Sequence, residues 1–83
     1  MKAKEMFEKL GYILVKETKS ILEYKKYDSS YVDIAYDRVN FSLTQKSIST
    51  TGKTMQGNSK IGSINLDLLK AIIEQTKELD WIE

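Results

Sequence analysis

Cysteine, histidine and proline are all missing from this 83-residue chain, which has only four glycines and one tryptophan. Without cysteine there are no disulfides and no thiolate metal sites. Without histidine the other common zinc ligand and the usual general base at neutral pH go too. Metal chemistry and nucleophilic catalysis therefore lose their ordinary side chains, and neither a cofactor nor an enzymatic activity is expected. No proline-rich linker divides the chain. No apolar run is long enough to span a bilayer, and the charged, amphipathic start lacks the apolar stretch of a signal peptide. The expectation is one domain without a membrane partner, cytoplasmic by default. Thirteen basic residues against twelve acidic ones leave a formal charge of +1, which excludes bulk electrostatics as a route to nucleic acid or anionic lipid. A domain of this length removes about 60 to 65 % of its unfolded surface from water, so its core is thin.

The longest helical pattern runs from Asn65 to Trp81. Leu66, Leu69, Ile73 and Thr76, flanked by Leu68, Ile72 and Leu79, recur at steps of three and four and define the face expected to be buried. Asn65 stands where an N-cap belongs and Asp67 complements the positive end of the helix dipole, so Asn65→Ala is expected to cost about 1 kcal/mol. A second, shorter helix is read from Lys2 to Leu10. Ala3, Met6, Phe7 and Leu10 form its apolar side and Gly11 ends it.

Between the helices the period changes to two. Tyr12 to Lys16 and Ile21 to Tyr27 read as a hairpin across Glu17 to Ser20. Asp28 to Ser30 is a turn, and Tyr31 to Tyr36 alternates again with Val32, Ile34 and Tyr36 on one face. Asp37-Arg38 reads as a tight turn lacking glycine, and Val39 to Thr44 places Val39, Phe41 and Leu43 inward, with Asn40, Ser42 and Thr44 outward. Ser47 to Thr51 extends the sheet as an edge strand. Gly52 to Gly62, with three glycines and few large apolar groups, reads as a long mobile loop. The fold class that follows is α+β: an antiparallel β-meander of four or five strands with N- and C-terminal helices packed on one face. The helices are expected to meet through Met6, Phe7, Leu10, Leu69, Ile72 and Ile73, and Ile73→Ala to cost about 2 to 5 kcal/mol.

Three local patterns bear on chemistry. Asp28, Asp33 and Asp37 would have to cluster to hold Mg²⁺, whereas Asp in turns serves the backbone. Thr51-Gly52-Lys53-Thr54 has the end of a phosphate-binding loop, but Ser47 stands where the first glycine is needed and no helical pattern follows. Arg38, Lys46, Lys53 and Lys60 make residues 38 to 66 basic without one acid, and Tyr24, Tyr27 and Tyr31 would stack on bases if they shared an open face. Trp81, just past the last helical turn, is either packing for a small core or an interface anchor.

The two ends of the chain carry a resemblance. Met1 to Tyr12, reading MKAKEMFEKLGY, and Leu66 to Ile72 with Lys77-Glu78-Leu79-Asp80-Trp81 resemble a group of small phage and prophage proteins of Gram-positive bacteria. That group typically ends in a Lys-Glu-Leu-Gly-Trp type of segment, with Asp80 here in the glycine's place. The resemblance implies a mobile-element origin in a bacterial host; by analogy with small phage accessory proteins, the expectation is a non-enzymatic protein that binds a host protein, blocking a defence effector of the CRISPR type or adjusting a host enzyme. The contact surface expected from the residues is Tyr31, Asp33, Asn40 and Ser42 on an open sheet face, with Lys46, Lys53 and Lys60 beside it. The alternative is a nucleic-acid-binding accessory protein using the basic 38–60 segment. The oligomeric state is not readable.

Overall fold

The computed structural model describes residues 1–27, 35–54 and 57–82, with the backbone alone at 60 and 61. Helix α1, Ala3–Lys9, is followed by strands β1 Ile13–Glu17, β2 Ile21–Tyr27, β3 Tyr36–Ser42, β4 Ser47–Lys53 and β5 Ser59–Ile61, and by helix α2, Leu66–Glu78. The strands form one antiparallel sheet in the order β1-β2-β3-β4-β5. Both helices lie on one face, which is the α+β meander read from the sequence.

Period-two alternation decides what faces the helices. Leu22 pairs with Phe41 and Tyr24 with Val39, and all four are buried. They pack with Phe7 from the first helix, with Tyr12 just beyond its end, and with Leu68, Ala71 and Ile72 from the last helix. The centre is aromatic. Phe7 stacks on Tyr24 with ring centroids 4.0 Å apart, and Phe41 meets both rings edge-on.

The helix ends are held by backbone devices. At the end of α1, Gly11 takes φ +93°, its N–H donates to the Glu8 carbonyl, and the Tyr12 N–H reaches the Phe7 carbonyl. That left-handed closure needs glycine. At the end of α2 the same pair of bonds runs from Asp80 to Lys77 and from Trp81 to Thr76, with Asp80 at φ +63°. Asp80 therefore adopts the left-handed conformation that glycine takes most easily. The closure folds Trp81 back onto Phe41, at 6.2 Å between centroids, so Trp81 packs against the core. At its start, Asn65 Oδ1 accepts from the Leu68 N–H at 2.8 Å. The Ala3 N–H, unpaired within its own helix, donates to Glu78 Oε2 at 2.6 Å and ties α1 to α2.

Four expectations are corrected. Leu69 and Ile73 are 42 % and 38 % exposed, and α2 buries Leu68, Ala71, Ile72, Gln75 and Thr76 instead. The helix is rotated because Gln75, a polar residue, turns inward to accept the Tyr24 hydroxyl at 2.7 Å. Asp37 and Arg38 are not a turn; they lie inside β3, paired with Gly52 and Thr51 on one side and Lys26 and Lys25 on the other. Residues 52–62 are not a loop throughout, since Ser59–Ile61 returns as β5 against Thr51–Lys53. Gly62 continues that approach: its N–H donates to the Thr50 carbonyl, and a Cβ there would come within 2.9 Å of Thr50 Cβ. Tyr36, expected inward, pairs with Tyr27 on the face away from the helices. Of the rest of the expected 31–36 strand, Ala35 is a buried residue in a bend before β3, and residues 31–34 lie outside the described residues.

Candidate binding face

The register that sends Leu22, Tyr24, Val39 and Phe41 toward the helices sends their neighbours the other way. Lys16 on β1, Ile21, Glu23, Lys25 and Tyr27 on β2, and Tyr36, Arg38, Asn40 and Ser42 on β3 share the helix-free face. Ser47, Ser49, Thr51 and Lys53 continue it on β4. Lys16 reaches it because β1 slips one residue between Leu14 and Lys16, which leaves Val15 as the extra residue, 39 % exposed.

The middle of this face is a polar network. Arg38 Nη1 lies 3.9 Å from Glu23 Oε2, and Arg38 Nε donates to Thr51 Oγ1 at 3.1 Å. Glu23 is only 8 % exposed, so its carboxylate is shielded by these cross-strand neighbours. Next to it, Asn40 Oδ1 is buried without a hydrogen-bond donor. One corner is aromatic and basic: Tyr27 and Tyr36 meet at 6.2 Å, and Lys25 Nζ sits 4.3 Å from the centre of the Tyr36 ring. The β4 side is neutral and hydroxyl-rich, ending in the exposed Lys53.

Of the residues expected at the contact surface, Asn40, Ser42 and Lys53 share this face. Lys46 sits at the rim, exposed in the β3–β4 turn at φ 52°. Tyr31 and Asp33 lie outside the described residues, as does Asp28, and so does the side chain of Lys60. Tyr24 is not available for stacking, being 2 % exposed under the helices. Burial, and then the Glu78, Glu17 and Glu8 carboxylates, push its hydroxyl up to about 12. Thr51 to Lys53 belong to β4, so the phosphate-loop likeness has no turn to support it. The sequence reading missed Lys16, Lys25 and Arg38 as one group, because cations on three strands are neighbours only once the register is known.

A cleft of about 220 Å³ opens between the helices and the β1–β2 hairpin, lined among others by Lys4, Glu17, Tyr24, Gln75 and Glu78. Its floor is the Tyr24–Gln75 bond, in which both polar groups already serve each other. Its volume falls below the roughly 300 to 1,000 Å³ of small-molecule sites. Among the described residues, no helix is long and apolar enough to cross a membrane. No family model matches the chain, and no match was found among curated proteins or solved structures.

Proposed function

We propose that this chain is a non-enzymatic binding protein of phage or prophage origin that engages a host protein through the helix-free face of its sheet. One observation carries the reading: that face joins exposed cations and half-buried tyrosines to a neutral hydroxyl-rich half, around a central Glu23–Arg38 pair. A surface with both signs and many small donors and acceptors suits the mixed chemistry of a protein partner. The resemblance of the chain's ends to phage proteins supplies the host-directed part, with a defence effector of the CRISPR type as the partner class.

The second reading, single-stranded nucleic acid, is favoured by one corner. Lys25, Lys53, Tyr27 and Tyr36 combine cations with rings, as stacking platforms do. The Glu23 carboxylate at the centre opposes a phosphate backbone there, which ranks this reading second.

Capture from lysate of a Gram-positive host, repeated after nuclease treatment, separates the two. One protein retained after nuclease, and lost with Lys53→Glu, supports the first reading. Material lost entirely on nuclease treatment, with affinity falling steeply with salt, overturns it in favour of the second.

A further inference from the structure

We infer, resting on the helix-free face as the contact surface, that the protein partner meets it with an acidic patch whose carboxylates enter the corner marked by Lys25, Arg38 and Lys53. Register sorts the charges of the sheet by side. Lys16, Lys25, Arg38 and Lys53 all lie on the helix-free side, where Glu23 is the one acid among the described residues. Glu17 and Asp37, the other described acids of the sheet, pair with Leu22 and Lys26 on the opposite side. The remaining described acids belong to the helices or, for Asp80, to the turn after α2. Four cations against one acid make this face positive, on a chain whose total charge is only +1.

Glu23 offsets part of that charge: Lys16 stands opposite it on β1, and Arg38 Nη1 lies 3.9 Å from its carboxylate. The surplus gathers farther along the strands. There Lys25 and Arg38 are directly opposed on β2 and β3, a like-charge pair that weakens a sheet and that an anion between them relieves. Lys25 Nζ is held 4.3 Å from the centre of the Tyr36 ring, and the exposed Lys53 is the partner of Tyr36 on β4. Three cations thus border one half-buried ring. Carboxylates suit this corner better than a phosphodiester chain does, because a folded partner can set discrete charges over these cations and leave Glu23 to its own neighbours. A nucleic-acid strand carries an anion at every nucleotide, and one that runs from Lys53 to Lys16 passes beside the Glu23 carboxylate.

Amide NMR of the isotope-labelled intact chain tests this with three probes of about ten units in about 50 mM salt: an Asp- and Glu-rich peptide, its Lys-rich counterpart and oligo(dT). The acidic peptide is expected to shift the amides around Lys25, Arg38 and Lys53 and to leave those of both helices in place. The Lys-rich peptide is expected to shift neither, and oligo(dT) to bind about tenfold more weakly than the acidic peptide. Lys25→Glu with Lys53→Glu is expected to lower affinity for the acidic peptide about tenfold or more. Should that double variant fail to fold, Lys53→Glu alone, at an exposed position, is expected to lower it about threefold. An acidic peptide that leaves this corner unshifted, or binds the variants as well as the parent, overturns the inference, while the reading of the face stands or falls on capture from lysate. A Lys-rich peptide that binds the corner reverses the sign of the partner and overturns the acidic chemistry alone. Tighter binding of oligo(dT) than of the acidic peptide overturns both, in favour of nucleic acid.

Discussion

The two faces of the sheet are made from alternate residues of the same strands, yet they are held by different physics. Under the helices, Leu22, Tyr24, Val39 and Phe41 are 5 % exposed or less and interlock with rings and aliphatic groups from both helices. On the other side, Glu23, Arg38 and Thr51 share an ion pair and a hydrogen bond across three strands, while Lys53 and Ser49 face solvent. Volume governs the first face and polar pairing the second. The exposed residues of the second face, Lys53 and Ser49, can therefore change with little consequence for folding, whereas the shielded Glu23 is tied to its Arg38 partner.

The sharpest way to break this comparison is Phe41→Ala. It removes a fully buried ring that touches Phe7, Tyr24 and Trp81, and is expected to cost about 3 to 5 kcal/mol in urea unfolding. A loss below about 1 kcal/mol would show that the helix side is not the core. Next comes a pair on α2: Ile72→Ala is expected to cost about 2 to 4 kcal/mol, and Ile73→Ala under about 1 kcal/mol when melted at low protein concentration. Equal losses would restore the face read from the sequence.

The Tyr24 hydroxyl gives a pH signature specific to the covered face. Its folded value, about 12, lies above the unfolded value of 10, so the folded state holds the proton more tightly. Its contribution is fully present below pH 10 and is lost as pH rises from 10 toward 12. Comparing the alkaline unfolding of the parent with Tyr24→Phe isolates it; identical profiles would remove the role assigned to the Tyr24–Gln75 bond. The smallest stability effect is expected on the helix-free face, where Lys53→Ala should stay within about 0.5 kcal/mol of the parent while lowering affinity for a captured partner. Undiminished affinity would move the contact off this corner.

The elements themselves were legible because their signals are local. The N-cap at Asn65, the glycine at 11 and the alternation of Val39 to Ser42 each announce a structure within a few residues. What stayed hidden depends on distant partners. Gln75 is polar, and nothing in its neighbourhood shows that Tyr24 waits for it across the core. Asp37 and Arg38 read as a turn because charge is uncommon inside strands, but Arg38 finds Glu23 on β2 and Thr51 on β4. The short β5 escaped for the opposite reason. It has almost no apolar signal and takes its place from backbone bonds to β4, continued by the Gly62 N–H at Thr50. The candidate face was half legible: Asn40 and Ser42 follow from alternation, whereas Lys53, read as part of a loop, and Lys16 and Lys25 join them only through register.

The strand order β1-β2-β3-β4-β5 has a consequence for the chain as it is made. Every strand lies beside its neighbour in sequence, so the sheet closes short connections and can assemble while the ribosome is still translating. The cover over Val39 and Phe41 arrives afterwards, because Leu68, Ala71 and Ile72 are encoded beyond the last strand. Until the thirteen-residue α2 is in place, the side of Val39 and Phe41 that it covers stands open to water and to other chains.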